Sequence, residues 1–207
     1  MTYTTIYNDP LSRAKVLHPW IYWDNAFTEE EIDEIVAYCD NKELMSGTVV
    51  GPDSEETVEE GRVSKVAFHG RNPDTAWIFD RLNFTIQSAN EQFFNYHLNG
   101  YDAFQYTTYS DTDKGHYTWH MDTHFGQPAG SLKFDEPRKL SLTLMLNDDY
   151  EGGEFQFNFS NESDAVIPVK KKGRILMFPS FMLHRVAPVT KGIRRSIVIW
   201  VVGPKFV

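Results

Sequence analysis

Apolar residues recur at helical spacing in two places in the first half of the chain and at strand spacing through the second half. Thr28 followed by Glu31 forms a capping box, and Ile32, Ile35, Val36 and Cys39 then fall on one helix face. Cys39 reads there as a small buried hydrophobe. A second helix is predicted from about Asp74, with Pro73 at its entry, an apolar stripe of Ile78, Leu82, Ile86, Ala89 and Phe93, and Gly100 as its stop. Residues 1–25 read as an irregular or edge-strand lead-in. From about residue 102 the texture changes to short β-type runs at 102–110, 115–122, 139–147, 153–159, 165–169, 174–178, 184–189 and 194–202. "DDYEGGE" and "KKKG" supply turns between them.

Short strands at such close spacing predict a sandwich, jelly roll or barrel. The chain has 207 residues, enough for one domain with a sizeable core, so 1–101 reads as a helical support region and 102–207 as a β-rich core. Aromatics make up 14% of the residues, which fits a β-rich interior or a lined cleft. The charge is −9, which argues against a nucleic-acid partner, since phosphate binding needs clustered Lys and Arg. The single cysteine excludes an internal disulfide and fits a reducing compartment. The first residues lack the apolar core of a signal peptide, and no run is long and apolar enough to span a bilayer. The expectation is a cytoplasmic protein with no membrane partner. The acidic segment 51–61, "GPDSEETVEEG", reads as a solvated loop.

Candidate chemistry concentrates in "GHYTWHMDTH". His116, His120 and His124 lie four apart, which would stack them on one helix face. Gly115, the strand formers Tyr117, Thr118 and Trp119, and the following Gly126 and Pro128 argue for a strand instead. On a strand, His120 and Asp122 point the same way and offer one imidazole and one carboxylate to an ion. Parity leaves His116 and His124 open, and a lone His-x-Asp is as well explained by a polar strand face. His184 opens another β-type run. Two histidines and a carboxylate make the facial triad of a non-haem Fe(II) site, whose open positions imply chemistry at the metal. Without a metal, His184 is a buried, hydrogen-bonded histidine. Ten residues on, "GIRRSIVIW" places Arg194, Ser196, Val198 and Trp200 on one strand face, with Arg195 on the other and exposed. An arginine on an inner face is costly unless it meets an anion, either a structural partner or a bound carboxylate.

Taken together, these residues resemble the Fe(II)- and 2-oxoglutarate-dependent dioxygenases, in the branch of prolyl 4-hydroxylases and PKHD-type hydroxylases. "YTWHMD", "LSLTLMLNDDYEGGEF" and "LHRVAPVTKGIRRSIVIW" are similar to that branch's segments over residues 104–202, in the expected order. "GRVSK" resembles its Arg-Thr-Ser stretch, with Val63 in place of threonine. The resemblance implies a double-stranded β-helix, or jelly roll, supported by two or more helices. It implies Fe(II) held by His120, Asp122 and His184, with 2-oxoglutarate and dioxygen as co-substrates and ascorbate as a further cofactor. Arg194 becomes the partner of the far 2-oxoglutarate carboxylate, where prolyl hydroxylases often have lysine, with Ser196 able to add a hydrogen bond. Tyr109 resembles the tyrosine that bonds the same carboxylate. "SDTDKGH" lengthens the Tyr109-to-His120 interval by about two residues relative to the family, so Tyr106 is a rival. Tyr117, Arg62 and Trp200 would line the substrate entrance. The implied activity is hydroxylation of proline in a peptide or protein. Alternatives are a PKHD-type hydroxylase with another substrate, a zinc hydrolase, and a non-catalytic metal-binding jelly-roll module.

Overall fold

The computed structural model describes residues 19–50, 56–57, 61–123, 136–159 and 166–205. The front half forms β1 (Ile21–Trp23), α1 (Glu29–Asp40), β2 (Met45–Ser46), β3 (Val49–Val50), β4 (Glu56–Thr57), β5 (Arg62–Val63), β6 (Lys65–Gly70) and α2 (Ala76–Ala89). The back half adds β7 (Ala103–Ser110), β8 (His116–His120), β9 (Arg138–Met145), β10 (Glu151–Gly152) and β11 (Phe155–Phe157). It ends with β12 (Ile175–Pro179), β13 (His184–Val186), β14 (Val189–Lys191) and β15 (Ile193–Val202). The strands pair antiparallel into a seven-stranded sheet, β1-β12-β9-β15-β7-β6-β2, and a four-stranded sheet, β11-β13-β8-β5. β10–β14 and β3–β4 are small separate pairs.

Strand alternation divides the large sheet into two unlike faces. Leu140, Leu142 and Leu144 of β9 pack with Ile197, Ile199 and Val201 of β15 and with Phe104 and Tyr106 of β7, against Ile32 and Ile35 of α1 and Ile78, Leu82 and Ile86 of α2. The opposite face carries Ser141 and Thr143 of β9, Arg194 and Ser196 of β15, and Gln105 and Thr107 of β7, all buried. A second cluster, including Tyr109, Phe155, Phe157, Phe178 and Val186, fills the space toward the small sheet. One face is thus a core for the helices, and the other is a polar interior between two sheets.

The helix α1 forms as its sequence requires. Thr28 accepts from the Glu31 amide at 3.2 Å, and Glu31 returns a bond to the Thr28 amide at 2.9 Å. Cys39 is fully buried, and burial pushes its thiol up to about 12, so it behaves as the expected core residue. The second helix differs from expectation. The Asn72 side chain accepts from the amides of Asp74 and Thr75, turning the chain so that regular helix starts at Ala76. After Ala89 it widens into a π-helical turn, Asn90–Phe94, closed by Asn95 at φ 54°. Asn90 bonds both the amide and the carbonyl of Tyr96, so the stop lies well before Gly100, and Phe93 leaves the buried stripe.

The front half is less helical than the sequence implied. β1 is an edge strand on β12, as the lead-in suggested, but β6 is a full member of the large sheet, paired with β7 from Lys65↔Thr108 to Gly70↔Ala103. Residues 166–169 form no strand, only a bridge from Val166 to Phe157. The run expected at 115–122 ends at His120. Arg195 is half-buried rather than exposed, its Nε 3.5 Å from Asp40 on the helix side of the sheet. His124, most of segment 51–61 and residues 1–18 lie outside the described residues. No described helix is long and apolar enough to cross a membrane.

Candidate metal centre and its pocket

His120 and His184 are cross-strand neighbours in the register of β8 on β13. Between His184 and Val186 the register shifts, because β8 uses three residues where β13 uses two. This bulge turns Tyr117 and His120 to the same side, and their rings stack at 3.5 Å. Asp122 lies past the end of the strand, so β alternation does not place it. Its backbone amide instead donates to the Ser180 carbonyl at 2.8 Å, beyond the end of β12. His120, Asp122 and His184 offer ligand atoms that all lie within 4.8 Å of one another. His116 is not part of this group; its Nδ1 bonds the Lys114 carbonyl.

The donor chemistry fits a divalent cation. His120 Nδ1 lies 2.8 Å from the Thr118 carbonyl, and His184 Nδ1 lies 2.8 Å from the Met182 carbonyl. Carbonyls only accept, so both Nδ1 atoms carry the proton and both Nε2 atoms present lone pairs. Those lone pairs converge on one carboxylate, with His120 Nε2 3.6 Å from Asp122 Oδ1 and His184 Nε2 3.5 Å from Oδ2. Burial pushes the Asp122 carboxyl up, but His184 and His120 outweigh it and hold it below the usual carboxylate range. Burial is also the main cause that pushes His184 down, to about 4, so that imidazole is neutral at pH 7. A buried carboxylate faced by the Nε2 atoms of two histidines is a cation site by its chemistry. Phe155 stacks on the His184 ring at 5.3 Å and Phe178 meets it edge-on at 4.7 Å, which fixes the ring and keeps that side dry.

From the triad a pocket runs between the sheets to Arg194, lined by Gln105, Tyr109, Thr143, Phe155 and Ser196 among others. Arg194 is 2% exposed and is the bulkiest fully buried side chain. It donates to Ser196 Oγ at 3.0 Å, its Nε has no partner, and no described carboxylate lies within ion-pair distance. Burying such a cation costs several kcal/mol, roughly, unless an anion meets it, so the Arg194 end of the pocket suits a carboxylate. Arg194 pairs in register with Tyr109 and lies 5.4 Å from its ring. Tyr106 points the other way and bonds Asp40 at 2.5 Å in the helix-facing core.

The long interval after Tyr109 is absorbed locally. Asp111–Asp113 form a 3-10 turn, Lys114 follows at φ 53°, and Asp111 Oδ2 accepts from the Gly192 amide at 2.8 Å. The extra residues are pinned beside the start of β15, leaving Tyr109 opposite Arg194. In "EGGEF", Gly152 and Gly153 take φ of 70° and 63°; a Cβ on Gly152 would lie 2.4 Å from the Pro188 carbonyl. The turn is therefore glycine by necessity and lies directly behind Arg194.

Tyr117, Trp200 and Arg62 all line the pocket. The Arg62 guanidinium lies 4.8 Å from the Tyr117 ring and donates to Ser64 at 2.9 Å. Sequence reasoning missed Arg138, whose guanidinium covers the Trp200 ring at 4.0 Å and donates to the Asp122 carbonyl at 3.3 Å. It missed Ser141 and Ser180 as well, which touch the triad from behind. The alternation L-S-L-T in β9 was the available signal, since it puts two hydroxyls on the inner face of an apolar strand.

Fold and triad together make a double-stranded β-helix carrying two histidines and a carboxylate, the donor set of a non-haem iron site. Residues 104–202 match the family model of the 2OG-Fe(II) oxygenase superfamily. Over this segment the chain is similar to that superfamily, and the relatives and structural neighbours it matches are PKHD-type hydroxylases and prolyl 4-hydroxylases. The family's cofactors are Fe(II), 2-oxoglutarate and dioxygen. A PKHD-type hydroxylase of Synechococcus sp. (strain CC9311) is 42% identical over 96 residues, which are 44% of this chain and 39% of that protein. A PKHD-type hydroxylase of Xylella fastidiosa (strain 9a5c) is 40% identical over 79 residues, 37% of this chain and 31% of that protein. The chain thus spans well under half the length of these curated relatives. A Pseudomonas putida prolyl-4-hydroxylase superposes with a TM-score of 0.68 at 18% identity, covering 91% of this chain and 94% of the other. A Trichoplax adhaerens prolyl hydroxylase, solved with a hypoxia inducible factor peptide, gives 0.69 at 18% identity over 89% and 83%.

Proposed function

We propose that this chain, as a single domain with residues 102–207 as its catalytic core, is an Fe(II)- and 2-oxoglutarate-dependent hydroxylase acting on proline in a peptide or protein. The observation that carries the reading is Arg194, a fully buried cation with no counter-ion among the described residues, at the far end of a pocket that opens onto the His-Asp-His group. A dicarboxylate with one end at the metal and the other at Arg194 matches that arrangement.

His120, Asp122 and His184 would hold the iron on one face. With 2-oxoglutarate and dioxygen, iron(II) supplies oxidative decarboxylation of the co-substrate to succinate and carbon dioxide and oxygen insertion into an unactivated C–H bond. The chain supplies position and dryness. Arg194 binds the far carboxylate through a charge-assisted contact, with Ser196 and Tyr109 completing its hydrogen bonds. Phe155 and Phe178 exclude water beside His184. Tyr117, Trp200 and Arg62 form the walls against which the substrate is oriented, and Arg138 adds a fourth group to that rim.

Proline as the target is supported by the prolyl hydroxylases among the structural neighbours, one of them solved with a peptide. A PKHD-type hydroxylase with another substrate is the second reading, favoured by the sequence relatives. Mass spectrometry of proline-containing peptides incubated with the protein, Fe(II), 2-oxoglutarate and ascorbate separates the two. A gain of one oxygen on proline supports the first. Succinate formation with no oxidised proline in any peptide favours the second.

A further inference from the structure

We propose that the buried hydroxyl pair Ser141–Ser180 is a positioning device for Asp122, restricting it to a single-oxygen metal ligand and so keeping coordination positions open. The inference rests on the reading that the triad holds a metal. Ser141 lies on β9, an interior strand of the large sheet, in register with Phe178 on one side and Trp200 on the other. Both serines are fully buried. Ser141 Oγ lies 2.6 Å from Asp122 Oδ2 and 2.9 Å from Ser180 Oγ.

The proton directions follow from the chemistry. An ionised carboxylate only accepts, so the single Ser141 proton goes to Oδ2, and Ser141 must accept from Ser180. The 2.6 Å separation is in the range of a charge-assisted O–H···O⁻ bond. Ser180 holds the same aspartate a second way, since its carbonyl accepts from the Asp122 amide at 2.8 Å and the Thr123 amide at 3.2 Å. The Asp122 backbone is therefore anchored just beyond the end of β12, and its side chain on β9.

Two consequences follow. The carboxylate cannot rotate without breaking the Ser141 bond. The bond also occupies one lone pair of Oδ2 and so disfavours chelation of an ion by both oxygens. A chelating carboxylate would take a position that the co-substrate or dioxygen needs. The hydroxyls act through Asp122 and touch no reacting atom, so they are positioning residues, and groups of this kind typically contribute about 10- to 100-fold to metal affinity.

The test uses Mn(II), a redox-stable substitute, titrated calorimetrically into the metal-free full chain, and the visible spectrum of the Co(II)-loaded protein. Ser141→Ala is expected to weaken Mn(II) binding by about 10- to 100-fold and to alter the Co(II) spectrum, with the metal-free melting temperature little changed. Ser141→Thr, which keeps the hydroxyl, is expected to restore affinity and spectrum. Ser180→Ala, which removes only the outer hydroxyl, is expected to give a smaller loss and decides the matter if the threonine variant does not fold. Wild-type Mn(II) affinity and an unchanged Co(II) spectrum in Ser141→Ala would overturn the proposal while leaving the metal site intact. A wild-type chain that binds no Mn(II), or His120→Ala binding as wild type does, would overturn the metal-site reading and this inference with it.

Discussion

At the scale of residues, two neighbouring arginines on β15 meet opposite fates. Arg195 finds Asp40 on the helix side, whereas Arg194 is buried between the sheets, donating to Ser196 beside the Tyr109 ring. Removing one partner of a buried charge pair costs about 2–5 kcal/mol, or roughly 30- to 4,000-fold in affinity. Arg194→Ala should therefore weaken 2-oxoglutarate binding by at least roughly 30-fold, measured by titration with Mn(II) present. Arg194→Lys should lose less, because the charge remains and only the planar fork is lost. Tyr109→Phe should weaken the same binding by roughly the worth of one hydrogen bond, about 1 kcal/mol, while Tyr106→Phe leaves it unchanged. Equal effects from the two tyrosines would contradict the assignment of Tyr109. His-x-Asp and the distal His184 were legible in the sequence through motif order, and the Arg194 face through strand parity; the parity argument for Asp122 does not hold, because β8 ends at His120. Ser141, Ser180 and Arg138 were not, because their roles depend on which strands become neighbours, and that is set by sheet order.

Elements carry the stability that the site needs. The capping box at Thr28 is joined to α2 through Glu31, which also pairs with Arg81 at 3.1 Å. Thr28→Ala should cost about 1 kcal/mol by denaturant unfolding. Leu82→Ala, which leaves a cavity between α2 and the large sheet, should cost about 2–5 kcal/mol. At the opposite edge, Asp24 at the end of β1 takes a two-bond contact from Arg174, with both N···O distances 2.8 Å. The Arg174 bond, helped by Lys171 and opposed by burial, lowers the Asp24 carboxyl from its ordinary 3.8 to about 2. A depressed carboxyl stabilises the fold above pH 3.8, and the contribution fades as pH falls toward 2. Asp24→Asn should therefore destabilise at neutral pH by about 1 kcal/mol, and the difference from wild type should shrink between pH 4 and 2. A constant difference across that range would contradict the pairing. The start of α1 was readable to the residue because its cap is local. The end of α2 was not, because a π-helical turn and an asparagine at φ 54° stop it where the apolar period still runs on. β6 escaped notice because its burial does not alternate; it is defined by pairing with β7 thirty-eight or so residues away.

At the scale of the whole molecule, the large sheet divides the labour. Its leucine face binds the helices and makes the sheet rigid. Its polar face, covered by the small sheet, holds the triad at one end of the pocket and Arg194 at the other. Ligands that bind only this folded arrangement must stabilise it. Mn(II) and 2-oxoglutarate, each at about 100 times its dissociation constant, should together raise the melting temperature by about 10–20 °C, since about 2.7 kcal/mol per ligand is gained. Arg194→Ala should lose the 2-oxoglutarate share and retain the metal share. The most direct test of the account is succinate formation from 2-oxoglutarate in air, measured with and without Fe(II), for the wild type and for Asp122→Ala. The account predicts iron-dependent succinate formation by the wild type and none above background by Asp122→Ala; succinate formed without iron, or undiminished in Asp122→Ala, would contradict it.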